Sequence, residues 1–200
     1  MVIKNPNEYQ KGKTFVYFVR HGDRKLIPKT PENPYPGISI PGPSLNTKGK
    51  KQAREVAKEF AKIKERVDLV YSSSMTRAIE TAKEIGKNTR KNVVIVPEFA
   101  EIQQDIFKKN IHHKIFWKSY LQYRKAIKVF NKILKENEGK EKVIVIVAHG
   151  NLIRLLFGNK LRLSFRQIKK FDYHNCHITL MRFKGKKLDY VHCFNNKKLD

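Results

Sequence analysis

The chain has 200 residues and a net charge of +25, from 43 lysines and arginines against 18 acidic residues. This length suits one hydrophobic core, so we expect a single domain over residues 1–200. The apolar runs are too short to cross a bilayer and the first ten residues lack the apolar core of a signal peptide. No membrane association is therefore expected, and the expected compartment is the cytoplasm.

Such an excess of positive charge attracts phosphate-bearing molecules of any kind and raises the question of nucleic-acid binding. The lysines are spread over every segment, and no basic cluster is interleaved with aromatic side chains as a base-stacking groove requires. A lysine-rich, solvated surface of the kind enriched in heat-adapted proteins explains the charge more simply. Nucleic acid is therefore not an expected partner, although a basic protein that binds phosphorylated ligands or RNA remains an alternative function.

The first clear elements are a strand and a proline-rich stretch. The β-branched and aromatic run TFVYFVR (14–20) predicts a buried strand that stops at His21-Gly22. Six of the eight prolines lie in residues 28–43, a density that excludes both helix and central strand. We expect these residues to form a long surface loop, either a cover on the substrate side or a mobile excursion.

Helices and strands then alternate along the chain. Apolar residues after Thr47 recur at the spacing of one helical face, and VDLVYSS (67–73) predicts a second strand. The next helix is expected to be capped by Ser74 or a nearby serine and to end near Gly86, before the strand NVVIVPEF (92–99).

The second half of the chain continues this alternation. A helical insert is predicted over about 105–139 and contains Trp117. The most apolar strand, KVIVIVAHGN (142–151), precedes the helix LIRLLFGNKL (152–161) and a C-terminal hairpin made of ITLMRF and DYVHCF. The pattern predicts an α/β fold with three layers, in which helices cover both faces of a mostly parallel central sheet.

The two cysteines lie on either side of Gly185 in this hairpin, nine residues before it and eight after it. A turn within FKGKK (183–187) would place Cys176 opposite Cys193 and His177 opposite His192. Neighbouring strand residues point to opposite faces, so these cysteines and histidines cannot form one zinc site, and no metal is expected. A cross-strand disulfide is one possibility, and two reduced, packed thiols are the expected state without a secretory signal.

Polar motifs end three of the predicted strands: His21-Gly22, His149-Gly150 and Ser72–Ser74. The carboxyl ends of parallel strands line the crevice where ligands bind, and glycine allows the backbone to turn sharply and approach a ligand. Arg20 precedes one histidine, and Arg77 falls in the first turn of a helix, where N–H groups already favour an anion. A single strand-end histidine is usually structural, but two of them in this setting favour a phosphate site.

These motifs resemble the phosphoglycerate-mutase-like histidine phosphatase superfamily. The similar segments, in the family's order, are VYFVRHG (16–22), LNTKGKKQA (45–53), VYSSSMTRAIETA (70–82), VPEFAEI (96–102) and IVAHGNLIRLL (146–156). NCHITLMRF (175–183) also resembles the family's closing strand, so the resemblance extends over about residues 14–196. It implies a phosphoglycerate mutase-like fold and a phosphatase that hydrolyses phosphate monoesters through a phosphohistidine, with no metal and no cofactor.

The resemblance also implies a role for each matching residue. His21 would attack phosphorus, Glu101 would protonate the leaving oxygen and then activate water, and the remaining catalytic groups would stabilise the transferring phosphoryl group: Arg20, Arg77 and His149. The residues expected to bind substrate are Arg20, Gly22, Arg24, Arg77, His149 and Gly150. Glu98 is the alternative acid, but the apolar Phe99 two residues before Glu101 fits the family's pattern better.

The sequence departs from the family at the rim of this site. Arg24 and Ile27 stand where a threonine and an asparagine are common, and Arg24 is either a replacement phosphate ligand or a surface arginine. The Gly-rich stretch after the acidic motif is replaced by QQDIFKKNIHHKIFW (103–117). The mutases' Arg-His-Tyr-Gly motif is absent, which favours hydrolysis over the alternative, phosphoglycerate mutase-type phosphoryl transfer.

The expected partner is a small phosphorylated substrate, with a phosphoprotein as the alternative. Its identity depends on the rim, where the loop over 28–43 and the helical segment around Trp117 match the family least. The motifs do not specify an oligomeric state.

Overall fold

A six-stranded sheet forms the centre of the protein, as seen in a computed structural model that describes residues 11–28, 30, 40–107 and 113–199. The strands are β1 (Thr14–Arg20), β2 (Leu69–Ser73), β3 (Val93–Val96), β4 (Val143–Ala148), β5 (Ile178–Lys184) and β6 (Lys187–Asn196). The α-helices are α1 (Thr47–Ala61), α2 (Thr76–Thr89), α3 (His113–Glu136), α4 (Gly150–Lys160) and α5 (Phe165–Ile168). Two short 3-10 helices, Pro97–Phe99 and Gln104–Phe107, separate β3 from α3.

The strands lie in the order β3-β2-β4-β1-β5-β6. The first four are parallel, β5 pairs antiparallel with β1, and β6 pairs antiparallel with β5 at the edge of the sheet. Alternate residues of β1 enter two hydrophobic clusters, with Phe15 in one and Val16 in the other. The cluster around Phe15 includes Phe60 of α1, and the cluster around Val16 includes Phe130 of α3. Helices therefore cover both faces, which confirms the predicted three-layer, mostly parallel α/β fold.

The start of α1 is joined to the segment that follows β1. Asn46 is the N-cap, and its Oδ1 accepts the Gly49 N–H at 2.7 Å. The same side chain donates through Nδ2 to Asp23 Oδ2 and to the Arg24 carbonyl oxygen, each at 3.2 Å. Asn46 thus serves as the helix cap and also anchors the chain just beyond His21.

The predicted cap and end of α2 are wrong. Its N-cap is Met75, without a side-chain cap, because the Ser73 hydroxyl accepts the Met75 N–H before the helix begins. The helix continues past Gly86 to Thr89 and ends at Arg90, whose φ of 56° breaks the helical path. Gly86 is instead a packing position, because a Cβ there would lie 2.7 Å from the Lys91 carbonyl oxygen.

The proline-rich segment and the helical insert are only partly described. Residues 29 and 31–39 lie outside the described part, so the predicted surface loop over 28–43 is untested there. Its flanks are joined by the Lys25 N–H to Ser44 carbonyl hydrogen bond of 2.9 Å. Within the predicted insert over 105–139, α3 occupies His113–Glu136, and residues 108–112 lie outside the described part.

The C-terminal hairpin is confirmed, but its predicted register is wrong. Leu180, not Cys176, pairs with Cys193, because the turn places Lys184 opposite Lys187 and the ladder then shifts at three irregularities between Ile178 and Phe183. Cys176 lies before β5 with a φ of 55°, and both thiols are free, as expected for reduced cysteines. Counting residues outwards from the turn could not reveal these shifts.

In the described part of the chain, no helix is both long enough and apolar enough to cross a membrane.

The close approach of α1 to the turn after His21 gives a stability prediction. A Cβ on Gly49 would lie 1.8 Å from the Asp23 carbonyl oxygen, so Gly49→Ala must displace backbone. Alanine at an open helical site would stabilise by about 1 kcal/mol, whereas this overpacking should destabilise by about 3 kcal/mol. Urea unfolding followed by circular dichroism measures the change. The control is Lys50→Ala, at an exposed position of the same helix, which should change the free energy of unfolding by less than about 0.5 kcal/mol. An unchanged or higher stability of Gly49→Ala would contradict the close approach.

Candidate active site

Two buried histidines meet at the carboxyl ends of β1 and β4. Their ring centroids lie 5.0 Å apart, and the side chains of His21 and His149 are 2% and 0% exposed. The two rings are close because β1 and β4 pair in parallel, with Arg20 opposite Ala148. The His21 N–H donates to the Ala148 carbonyl oxygen at 3.0 Å. The sheet therefore brings together the two strand-end histidines that the sequence predicted.

The tautomer of His21 follows from its hydrogen bonds. Nδ1 lies 2.6 Å from the Gly22 carbonyl oxygen, which can only accept, so Nδ1 carries the proton. Nε2 then holds a lone pair, and it accepts the Arg77 Nε–H at 3.0 Å. Burial, followed by the charges of Arg77 and Arg20, lowers the His21 pKa well below its ordinary value of 6.5. The ring is neutral at pH 7, with its lone pair on the nitrogen that faces an arginine.

Arg77 comes from the first turn of α2 and is almost fully buried. Burial lowers its pKa to about 10, so the guanidinium stays charged at neutral pH. Thr81, one turn later, donates from Oγ1 to the Arg77 carbonyl oxygen at 2.8 Å and accepts the Gly22 N–H at 3.1 Å. Thr81 thus joins α2 to the His21 turn. We did not single it out from the sequence, although it lies within the segment VYSSSMTRAIETA (70–82).

Arg20 is held by the loop that precedes β5. Its Nη1 hydrogen-bonds to the Tyr173 carbonyl oxygen, and its Nε is buried without a hydrogen-bond partner among the described residues. The same loop donates from Cys176 N to the Arg20 carbonyl oxygen at 2.9 Å and from Asn175 Nδ2 to the His21 carbonyl oxygen at 2.8 Å. A Cβ on Gly150 would lie 3.4 Å from Arg20 Nε, so this glycine leaves room for the guanidinium.

The loop residues Tyr173, Asn175 and Cys176 were missed as site residues. Tyr173 holds the Arg20 side chain, and Asn175 and Cys176 hold the Arg20-His21 backbone, all from more than 150 positions away in sequence. Their contacts arise only when β5 pairs antiparallel with β1. The sequence signal was limited to the resemblance of NCHITLMRF (175–183) to a closing strand.

Glu101 lies where the 3-10 helix Pro97–Phe99 leads towards α3. Its Oε1 accepts the N–H groups of Ile102 at 3.0 Å and Leu152 at 3.3 Å. Burial raises the Glu101 pKa above its ordinary 4.5, against the opposing charge of Arg77. Since Oε1 takes two N–H donors, the neutral acid carries its proton on Oε2.

Two side chains hold the loop that carries Glu101. Gln122 of α3 donates to the Glu101 carbonyl oxygen at 3.1 Å, and Asn151 of α4 donates to the Ile102 carbonyl oxygen at 2.8 Å. The charges of Arg77 and Arg20 both act on Glu101. These contacts favour Glu101 over Glu98 as the site's carboxyl group.

Gly22 and Arg24, two further residues predicted to bind substrate, both lie near His21. The Gly22 N–H is donated to Thr81, and a Cβ on Gly22 would lie 2.5 Å from the Gly49 carbonyl oxygen. The need for glycine there is thus explained by α1. Arg24 is half-buried, and its charge lowers the pKa of both His21 and Arg77, which places its guanidinium within electrostatic reach. Substrate binding by Gly22 and Arg24 stays a prediction.

The arrangement combines a neutral imidazole, the guanidinium groups of Arg20 and the buried Arg77, and a carboxyl group of raised pKa. Convergent cationic donors suit a dianionic phosphoryl group, and a lone pair on His21 Nε2 suits attack on phosphorus. Burial also lowers the pKa of His149 well below 6.5, so this ring too is neutral at pH 7. The described residues contain no group of three or more His, Cys, Asp or Glu side chains that could hold a metal ion.

Comparisons with known proteins agree with this geometry. The model of the family described as "Histidine phosphatase superfamily (branch 1)" matches residues 16–118 and 118–196. No curated protein gives a significant match. Among solved structures, phosphoserine phosphatase from Entamoeba histolytica, in complex with 3-phosphoglyceric acid, is similar, with 24% identity and a TM-score of 0.68 over 92% of this chain and 97% of that one.

Two further solved structures share the fold. Mycobacterial glucosyl-3-phosphoglycerate phosphatase has 17% identity and a TM-score of 0.69, over 92% of this chain and 99% of its own. Alpha-ribazole phosphatase from Shigella flexneri has 17% identity and a TM-score of 0.70, over 92% of this chain and 97% of its own. These similarities confirm the predicted phosphoglycerate mutase-like fold.

The neutral histidines predict a pH dependence of stability. Their pKa values are depressed on folding, so the unfolded chain takes up more protons below pH 6.5 and stability falls with falling pH. Each ring should remove about 1.4 kcal/mol of unfolding free energy between about pH 7.5 and 5.5. The double variant His21→Asn/His149→Asn should lack this loss in urea unfolding. The raised pKa of Glu101 makes stability rise, not fall, as the pH is lowered towards 4.5, but this residue is present in both proteins. Equal dependence of stability on pH in the two proteins would contradict buried neutral rings.

Proposed function

The chain belongs to the histidine phosphatase superfamily, branch 1, and from that premise we propose that it hydrolyses phosphate monoesters through a phosphohistidine formed at His21. The observation that carries the proposal is the pairing of a lone pair on His21 Nε2 with the guanidinium of Arg77, 3.0 Å away. A neutral nucleophile beside fixed positive charge is what attack on a dianion requires.

In the first half-reaction, His21 Nε2 forms a bond to phosphorus while the bond from phosphorus to the ester oxygen breaks. Arg77 moves its hydrogen bond from Nε2 to the phosphoryl oxygens, where Arg20 and His149 also bind. The leaving oxygen takes the proton from Glu101 Oε2. Burial favours the protonated acid that this step needs, because it raises the Glu101 pKa.

In the second half-reaction, water attacks phosphorus and the bond from phosphorus to Nε2 breaks. Glu101, now a carboxylate, accepts the water proton and returns to its starting form. Inorganic phosphate leaves, and the Nδ1 hydrogen bond to Gly22 keeps the proton off the nucleophilic nitrogen. The positive charge that stabilises both transition states belongs to Arg20 and Arg77, so the proposal assigns no step to a metal ion or cofactor.

The proposed substrate is a small phosphorylated molecule, with a phosphoprotein as the alternative. The similar structures include phosphatases named for phosphoserine, glucosyl-3-phosphoglycerate and alpha-ribazole compounds. The leaving group would lie on the Glu101 side of the cleft, near α3 and α4. Trp117 of α3 is 45% exposed and packs edge-to-face on Tyr120, and this aromatic surface is a candidate for the rim. Free thiols at both cysteines fit the proposed cytoplasmic location.

A covalent-trapping experiment tests the nucleophile. In excess chelator, the wild-type protein should release phosphate from p-nitrophenyl phosphate and carry an acid-labile, base-stable phosphoryl label after rapid quenching. His21→Asn should lose both the label and more than about a thousandfold of kcat/KM. His192→Asn, which removes a histidine from β6, is the matched control and should keep both.

Three results of this assay would contradict the proposal. A label that survives His21→Asn would place the nucleophile elsewhere. Phosphate transfer that requires a bisphosphate primer would indicate the mutase-type reaction. Absence of any phosphate release, together with salt-sensitive RNA affinity, would favour the basic binding protein.

The two candidate glutamates, Glu98 and Glu101, allow a direct test of the general acid. Glu101→Gln should lower kcat for an alkyl phosphate by about a hundredfold or more, because its leaving oxygen needs a proton. With p-nitrophenyl phosphate, whose leaving group needs no proton, the variant should release a burst of nitrophenol and then turn over slowly. Glu98→Gln is the control and should retain normal rates. Near-normal turnover of the alkyl phosphate by Glu101→Gln would remove Glu101 from the acid role.

A further inference from the structure

The second histidine of the site contacts a serine through one ring nitrogen only. His149 Nε2 lies 2.8 Å from Ser73 Oγ, while Nδ1 is buried and has no hydrogen-bond partner among the described residues. We infer that Ser73 is a positioning residue that fixes the tautomer of His149, so that Nδ1 carries the proton and donates a hydrogen bond to a phosphoryl oxygen. This inference rests on the proposed function and adds a residue that it does not include.

The first step is the hydrogen-bonding capacity of Ser73. A serine hydroxyl has one proton to donate and two lone pairs to accept with. Ser73 Oγ accepts the Met75 N–H at 3.2 Å, which uses one lone pair. If the hydroxyl proton goes to His149 Nε2, the serine and Nε2 are both satisfied. The ring proton must then sit on Nδ1.

The opposite tautomer leaves two groups poorly matched. With the proton on Nε2, the ring would donate to Ser73, and the hydroxyl proton would lack an acceptor among the described residues. Nδ1 would then present a lone pair to an anionic phosphoryl group, which is repulsive. Both features are unfavourable at side chains that are 0% exposed.

The sheet explains why this serine, and not its neighbours, reaches the ring. Ser72 of β2 pairs with Val147 of β4, so the ends of these parallel strands bring Ser73 beside His149. Ser72 turns its hydroxyl to the Ser73 carbonyl oxygen at 2.9 Å. Ser74 Oγ is also buried, but it has no hydrogen-bond partner among the described residues. The position of the Ser73 hydroxyl is thus set by the end of β2 and by its hydrogen bond from the Met75 N–H.

The tautomer can be measured in the ligand-free wild-type protein. Long-range proton–nitrogen NMR correlations on protein labelled with nitrogen-15 histidine distinguish protonated from unprotonated ring nitrogens, and loss of signals in His149→Asn assigns the ring. The expected result at pH 7 is a neutral His149 with its proton on Nδ1. A proton on Nε2 overturns the inference, and this readout does not depend on whether the protein releases phosphate.

Matched serine variants test the consequence. Ser73→Ala should give His149 a mixed or Nε2-protonated tautomer, weaken binding of inorganic phosphate, and lower kcat/KM for p-nitrophenyl phosphate about tenfold, the effect of one hydrogen bond. Ser73→Thr, which keeps the hydroxyl, should restore the Nδ1 tautomer and most of the activity. Ser74→Ala is the control and should change neither. An unchanged His149 tautomer in folded Ser73→Ala would overturn the inference even if activity fell. If that variant does not fold, the His149 tautomer in the wild-type spectrum tests the inference by itself.

Discussion

The hydrogen bond from His21 Nδ1 to the Gly22 carbonyl oxygen is the contact on which the rest of the site depends. It holds the ring proton on the nitrogen away from Arg77 and leaves the Nε2 lone pair directed at the guanidinium. Burial and the surrounding arginines keep a second proton off the ring. Without this hydrogen bond, the lone pair that the proposed attack on phosphorus requires could lie on either ring nitrogen.

Much of the fold maintains the geometry of the short Arg20–Asp23 segment that contains this hydrogen bond. Its backbone is hydrogen-bonded by Thr81 of α2 and by Asn175 of the loop before β5, and Gly49 of α1 packs closely against it. Elements from three separate parts of the chain thus meet at the end of β1. Preorganisation of this kind places charge before the substrate arrives, so little reorganisation remains for the reaction itself.

The sequence allowed the strands and the main helices to be predicted because their hydrophobic patterns are local. It also placed His21, Arg77 and His149 at element ends that meet, since the carboxyl ends of parallel strands share one edge. The cap of α2 was mispredicted because Ser73 faces both Met75 and His149, and a serine pattern alone does not show which partner it takes. The cysteine pairing failed because strand irregularities shift register without a clear local signal.

The sequence by itself determined the order of strands and helices, the chemistry at their ends, and the family resemblance, because each is encoded within a few neighbouring residues. Only the tertiary structure decided which nitrogen of His21 carries the proton, which oxygen of Glu101 is left to donate, and which loop supports Arg20. The physical reason is that protonation and orientation in a buried site depend on donors and acceptors from distant segments, which come within hydrogen-bonding distance only after the sheet has formed.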